Sequence, residues 1–371
     1  MRLATFNVEN MFERPKAMNL DVWADGQTVL EDFAQLNRLI QEPEYSSAIK
    51  TKLLEIMNRH KGLITQGKSK YIRLRELRGN FLYKSKNSPI KVSAKGRCDW
   101  IGWFELLKEP VKETATENTA RIMGLLEAHV LTVIEADDRT GLRRFNNDIL
   151  PLFYSEPFDH VMLIDGNDDR GIDVGIMTKK NYQIVRMITH VDDEDEKGII
   201  FSRDCAEYEI QTPLGNKLLV LVNHFKSKGY GNPSDSAAKR LRQAKRVREI
   251  YNERINQGHT YIAIVGDLNE VPEQPPMDPL IRTGSPLKDI MAHPLFQGDG
   301  RPGTYGNGTK SSKIDYILMS PNLSERVVRG GINRLGVWGG KNGTLFTHLS
   351  TIKKKTDSAS DHAALWVEID L

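Results

Sequence analysis

The chain has 371 residues, 39% of them hydrophobic and 27% charged, with a formal net charge of +3. That length suits one large α/β domain or a domain carrying an insertion, and the near-balanced charge leaves the question of a polyanionic partner to local clustering. No run approaches the roughly 18 apolar residues of a membrane span, and two cysteines, Cys98 and Cys205, exclude a disulfide framework and read as reduced thiols.

In chain order, the first buried strand is expected at 3–6, where Leu3, Ala4, Thr5 and Phe6 run into the polar Asn7 and Glu9. This apolar run is too short for a secretory leader, so the expectation is a cytoplasmic protein. The pattern then changes from about Asp21 to Leu107. Residues 30–64 are mostly helical in pattern, and 71–92 read as a pair of strands around a turn near Lys86, Asn87 and Ser88. This stretch, 21–107, separates the first strand from the helix expected at 116–128 and reads as a mainly helical, basic insertion within a single domain of residues 1–371.

Within it, residues 59–97 hold twelve Lys or Arg against one acid, Glu76, with Tyr71, Phe81 and Tyr83 interleaved. That combination suits phosphate tracking with base stacking. The opposing reading is a solvated face neutralised by Glu42, Glu44, Glu105 and Glu109, or a surface that docks a protein partner. Further strands are expected at 130–134, 161–164, 172–177, 218–222, 261–265, 314–319 and 363–369. Residues 236–255 form a basic amphipathic helix with Lys239, Arg240, Arg242, Lys245, Arg246 and Arg248.

Several of these apolar runs end in an acid, an amide or an imidazole. The first ends in Asn7 and Glu9, the next in Glu135, a third in Asn223 and His224, a fourth in Asp267 and Asn269. In an α/β sheet, ligands bind where such strand ends converge. Each residue alone is more often a turn, a helix cap or a structural histidine; separate bland explanations for all of them together are hard to sustain.

Five segments then match a known pattern in order and spacing: TFNVEN at 5–10, VNHFKSKG at 222–229, GDLNEVP at 266–272, KIDYILMSP at 313–321 and SDHAAL at 360–365. They resemble the motifs of the endonuclease/exonuclease/phosphatase (DNase I-like) superfamily, and DRGIDVGIM at 169–177 is similar to a strand of its bacterial members. The resemblance covers 1–11 and about 115–371. One position departs from it: the usual Gln-Glu of the second metal motif is Ile134-Glu135, followed by Asp137 and Asp138.

The resemblance implies a four-layered α/β/β/α sandwich and a Mg²⁺-dependent phosphodiesterase, with Mn²⁺ able to substitute. It implies Glu135, Glu9, Asn7 and Asp361 as the metal set, and Asp267 as the group that orients and deprotonates water. Asn269 would hold that water or a phosphate oxygen, and His362 would face the phosphate with Asp315 fixing it. His224 would stabilise a phosphate oxygen or protonate the leaving group. Lys226, Lys228, Arg170 and Asn223 are the expected substrate contacts. The NHFKSKG form and the basic segments favour a DNA nuclease. A phosphatase or phosphodiesterase for a small or lipid substrate is the alternative, and an inactive nucleic-acid-binding module is third. Trp338 is either a wedge for substrate or a buried anchor.

Overall fold

The computed structural model describes all residues except Asn10, Asp21, Val22, Lys86, Ser155, Tyr230, Gly231 and Thr283. The last residue of the first motif, the expected start of the insertion and Lys86 of the expected turn therefore lie outside the described residues. The chain divides into two compact units. One comprises Met1–Phe12, Val111–Lys228 and Pro233–Leu371, the other Glu13–Pro110 and Gly229–Asn232.

The first unit is built on two sheets. The seven-stranded sheet runs in the order Phe296–Gln297, Val327–Asn333, Ala364–Ile369, Arg2–Asn7, Val130–Ala136, Asp173–Thr178, His160–Ile164. The six-stranded sheet runs Gln183–Ile188, Cys205–Gln211, Lys217–His224, Tyr261–Asp267, Asp315–Met319, Lys288–Asp289. Strand alternation divides the apolar residues between two faces. Leu3, Val130 and Ile134 of one sheet meet Val220, Val222, Val265 and Ile317 of the other in a common core. On the outer face of the first sheet, Ala4, Phe6, Leu131 and Val133 pack on Ile122, Met123 and Leu126 of helix Glu113–Leu126. Leu219, Leu221, Ile262 and Ile264 of the second pack on Ala244, Val247 and Ile250 of helix Pro233–Asn256. The result is the α/β/β/α sandwich.

Among the longer strands of the two sheets, Gln183–Ile188, Cys205–Gln211 and Val327–Asn333 lie outside the apolar runs that the sequence marks, as do the two-residue strands Lys288–Asp289 and Phe296–Gln297. In Cys205–Gln211, Ala206, Tyr208 and Ile210 alternate with Glu207 and Glu209, so no continuous apolar run marks the strand. Both are buried: Glu207 is held by Arg254 and His190, and Glu209 accepts Lys217.

The second unit contains helices Trp23–Leu39, Ser47–Arg59 and Leu63–Gln66, and three two-stranded sheets. The segment read as an insertion, 21–107, falls within its limits of 13 and 110. The expected strand pair over 71–92 is corrected. Ile72–Arg78 pairs with Ile101–Leu106, and the local hairpin is Leu82–Ser85 with Ser88–Val92. Its core contains Leu36, Leu53, Met57, Ile72, Phe81, Trp100 and Phe104. Phe81 is fully buried, with ring contacts to Tyr45, Trp100 and Phe104, so it cannot stack on a nucleic-acid base.

Gly266 closes the strand that ends in Asp267. Its φ is +119°, and a Cβ there would lie 2.1 Å from the Asn223 carbonyl oxygen on the paired strand. Only glycine meets both conditions. Gly266→Ala is expected to cost about 2–4 kcal/mol, from the left-handed conformation and the clash together, read as a lower midpoint in chemical denaturation. An unchanged midpoint would contradict this packing.

Candidate active site

The inner face of the six-stranded sheet carries Val220 and Val222 on one strand and Val265 on the next; two residues further along each strand are His224 and Asp267. Register then sets His224 opposite Asp267, and Asp267 opposite Asp315, on three adjacent strands. Asn7 has the matching place at the end of Arg2–Asn7 in the other sheet, and its Nδ2 donates to Asp267 Oδ2 at 3.3 Å. His362 lies beside the start of the last strand. Asp315 accepts its Nδ1–H at 2.9 and 3.0 Å, and its Nε2 is 3.9 Å from Asp267 Oδ2 and 3.7 Å from Asp361 Oδ1. His224 Nε2 is 3.7 Å from Asp267 Oδ2 and 3.6 Å from Glu135 Oε1.

Plain alternation would point Glu135 outward, beside Val133. Instead the pairing slips, with Ala136 opposite Asp173 and Ile134 opposite Val174, and Glu135 sits at the slip with φ +66°. Such a bulge re-aims one side chain, here toward His224. Four non-glycine residues among those described have positive φ. Glu127 caps a helix; the others are Glu9 (+52°), Glu135 (+66°) and Asn269 (+52°), all expected site residues. Strain of this kind, about 1–3 kcal/mol each, concentrates where a side chain must be aimed. The neighbouring acids have local work. Asp137 accepts the Phe12 N–H at 3.0 Å, and Asp138 caps helix Arg139–Arg144 through the Gly141 N–H at 2.7 Å.

Burial governs the charges. It alone would lower the pKa of His362, but the hydrogen-bonded carboxylate of Asp315, with Asp361 and Asp267, outweighs it and holds the ring well above the usual histidine range. His224 goes the other way: burial first, then the cations Arg203 and Arg170, push it well below that range. Burial and the charge of Asp315 push Asp267 up to about 8, against the pull of His362 and the Asn269 N–H. The site therefore holds one cationic and one neutral imidazole.

Asn269 donates its backbone N–H to Asp267 Oδ1 at 2.8 Å and its Nδ2 to the Phe225 carbonyl at 3.1 Å. Asn7 Oδ1 accepts the Glu9 N–H, so a donor, not an acceptor, faces Asp267. Glu9 Oε2 accepts the Asp361 N–H at 3.0 Å.

The expected substrate contacts divide. Lys226 shares the field of Arg203 and Arg170 with His224, and burial followed by those two cations lowers it to about 7. Lys228 forms an ion pair with Glu270, which also takes Arg240. Arg170 is buried on Asp168 in a two-bond fork. Asn223 is not brought to the cluster. It follows Leu221 on the outer face, is fully buried, and donates to the Leu221 carbonyl. Trp338 is half-buried and stacked on His348 at 5.5 Å.

Three contributors carry no motif signal of their own. Thr304 Oγ1 donates to Asp315 Oδ2 at 2.6 Å. Tyr305 sets its ring 4.9 Å from His362, and the charge of Asp361, with burial and Glu9, raises its phenol pKa. Arg203, almost fully buried, pairs with Asp168 and donates to the same Phe225 carbonyl that Asn269 uses.

Among the described residues, Asp267, Asp315 and His362 each offer a ligand atom within 4.8 Å of the others. Asp315 is committed to His362 and Thr304, however. Of the expected metal carboxylates, Glu9 accepts the Asp361 N–H and Glu135 faces His224, and both glutamates sit in left-handed backbone; carboxylate oxygens are the donors a hard cation such as Mg²⁺ takes.

Two outcomes test this electrostatic layout. The folded pKa of Asp267 lies above its unfolded value, so its stabilisation is full below about pH 4 and is lost as pH rises through about 8. With chelator present, Asp267→Asn should gain melting temperature over wild type as pH is raised across that window and level off above it. A pH-independent difference would contradict the layout. Glu135→Gln should raise the metal concentration needed for half-maximal activity by tenfold or more, on the order of a lost carboxylate ligand, while Asp137→Asn and Asp138→Asn should leave it unchanged. The reverse ranking would move the metal to the other acids.

A family model described as the endonuclease/exonuclease/phosphatase family matches residues 111–362. No curated protein sequence matches. Among solved structures, the chain is similar to an endonuclease/exonuclease/phosphatase family protein from Bacteroides thetaiotaomicron, with a TM-score of 0.50, 19% identity, and 69% of this chain and 90% of that one covered. It also aligns with a mannosyl-6-phosphatase of Bacteroides thetaiotaomicron VPI-5482 (TM-score 0.49, 16% identity, 69% and 92% covered). A third is the human Nocturnin catalytic domain with bound sulfate (TM-score 0.47, 14% identity, 70% and 87% covered). At 19% identity the first of these likenesses is one of fold. With the family match over more than half its length, the chain belongs to the endonuclease/exonuclease/phosphatase family, hydrolases that act on phosphoester bonds.

Proposed function

We propose that the protein is a divalent-metal-dependent phosphodiester hydrolase acting on DNA. The observation that carries the hydrolytic part is the row His224, Asp267, Asp315 on three adjacent strands, with Nε2 of a cationic His362 facing Asp267. A Mg²⁺ ion held by Glu135, Glu9 and Asp361 would neutralise developing phosphate charge.

The chain's own groups divide the remaining work. Asp267, once ionised, accepts the proton of the attacking water through Oδ2, its Oδ1 being fixed by the Asn269 N–H. His362 presents a cationic N–H to a phosphate oxygen, with Asp315 and Thr304 fixing the ring. Being neutral, His224 suits a hydrogen bond to phosphate better than proton donation to a leaving group at neutral pH.

Charge distribution supports a nucleic-acid substrate. Residues 13–110 hold eighteen Lys and Arg against twelve Asp and Glu, a net +6; with +3 for the whole chain, the remainder carries −3. Positive charge is thus concentrated in the second unit. A second reading, a small-molecule phosphoesterase, draws on the first unit. Four of the five arginines of helix Pro233–Asn256 are in internal ion pairs, Arg240 with Glu270, Arg242 with Asp195, Arg246 with Asp193 and Glu253, Arg254 with Glu207, and Arg248 donates to Ser285. The basic helix is therefore a folded ion-pair network and lends little to a polyanion site.

With Mg²⁺, a panel of plasmid, single-stranded DNA, RNA and phosphomonoesters separates the readings. DNA cleavage that EDTA abolishes and Mg²⁺ or Mn²⁺ restores is expected; turnover of phosphomonoesters alone would overturn the nuclease reading. Asp267→Asn and His362→Ala should each lower turnover by at least about a hundredfold. Asp315→Asn should lower it less, since it acts through His362. Near-normal rates in folded variants would remove these assignments.

A further inference from the structure

The strands Ile72–Arg78 and Ile101–Leu106 form an antiparallel ribbon whose two faces differ sharply. One face, with Ile72, Leu74 and Phe104, is buried in the core of the second unit. The other carries Trp103, 42% exposed, and Ile101, 48% exposed. Register sets Arg75 directly across from Trp103, Arg78 across from Ile101 and Arg73 across from Glu105. The strand slips between Glu76 and Arg78, and the extra residue, Leu77, is 65% exposed.

An exposed tryptophan between arginines on a two-stranded ribbon is an unusual surface for a protein to leave in water. Its acids do not neutralise it. Glu76 lies on the opposite side of the strand alternation, and its carboxylate accepts the N–H groups of Phe81 and Leu82. Glu105 alone serves both Arg73 and Arg75, at 3.3 and 2.9 Å, which leaves the face net positive. In the same unit, the hairpin Leu82–Ser85/Ser88–Val92 exposes Tyr83 with the Lys91 ammonium 5.3 Å above its ring.

Building on the proposed action on nucleic acid, we propose that this ribbon face is a binding platform for single-stranded nucleic acid. The arginines track the phosphate backbone and Trp103 stacks on a base. Single strands are specified because only unpaired bases offer a π-face to a side chain standing on a strand. Arg75 is well placed across from the indole to bridge the adjoining phosphate, and Arg78 extends the same track. The stacking residue is thus Trp103, with Tyr83 a second aromatic; the buried Phe81 takes no part.

The test uses the full chain with EDTA, so that nothing is cleaved, and fluorescein-labelled oligothymidylate, oligouridylate and a DNA duplex titrated at several salt concentrations. Trp103→Ala should weaken binding of single strands by about 5- to 150-fold, the range that base–aromatic stacking supplies. Trp103→Phe should restore most of it, and duplex affinity should change less. Arg75→Glu with Arg78→Glu should flatten the log–log salt slope for single strands by about 0.7 per lost phosphate contact. With Mg²⁺ restored, hydrolysis of bis-p-nitrophenyl phosphate, too small to span the ribbon, should be unchanged in all variants.

If wild type cleaves DNA while single-strand affinity and salt slope are the same in every variant, the platform is overturned and the nuclease reading stands. A shift in oligomeric state on size-exclusion chromatography without a change in affinity would overturn it in favour of a protein-docking face. A wild-type chain that hydrolyses phosphomonoesters and binds no oligonucleotide would remove the nuclease reading, and the platform with it.

Discussion

Two buried carboxylates, Asp267 and Asp315, face each other across neighbouring antiparallel strands. Like charges directly opposite in a sheet repel, and burial raises the cost of keeping both ionised. The fold resolves this with one imidazole. His362 gives its Nδ1–H to Asp315 and keeps a positive charge, which leaves Asp267 as the carboxyl whose proton is easily gained or lost near neutral pH. A pair of acids with separated tasks follows from position alone: one is committed to a histidine and a threonine, the other stays available.

The rest of the rim serves that arrangement. Ser360 ties the two motif segments together, donating to the Asn7 carbonyl at 2.7 Å and accepting the His362 N–H. The Phe225 carbonyl receives both Arg203 and Asn269, which binds the strand exit after His224 to the turn after Asp267. These cross-braces account for how Glu9 and Asn269 persist in left-handed backbone, while Glu135 is held by the slip in its strand pairing.

Much of this was legible in the sequence because strand alternation is a local property. Asn7, His224 and Asp267 each lie an even number of residues from inward-facing apolar neighbours, which alone predicts a shared rim. The same rule, applied strictly, also places Asn223 on the outer face; adjacency to His224 is what makes it look like a site residue. Other features have no local signal. The bulge at Glu135 depends on a partner strand some 40 positions away. The loop that brings Thr304 and Tyr305 to His362 and Asp315 is defined only by long-range bonds. The charge of helix Pro233–Asn256 looked like a binding face because its partners at Asp193, Asp195, Glu207 and Glu270 are scattered along the chain. In 59–97 the sequence located the excess charge and the exposed Tyr83, but Trp103, outward on the partner strand, lay beyond the segment.

The central claim is the opposite ionisation of two histidines at one rim. Its most direct measurement is the ¹⁵N NMR titration of the imidazole rings of His362 and His224, assigned through single-site variants, in metal-free protein and again with Mg²⁺. The account predicts ¹⁵N shifts of a doubly protonated ring for His362 throughout the neutral range and of a neutral ring for His224 over the same range. A neutral His362 at pH 7, or a His224 that gains its proton above pH 7, would contradict it.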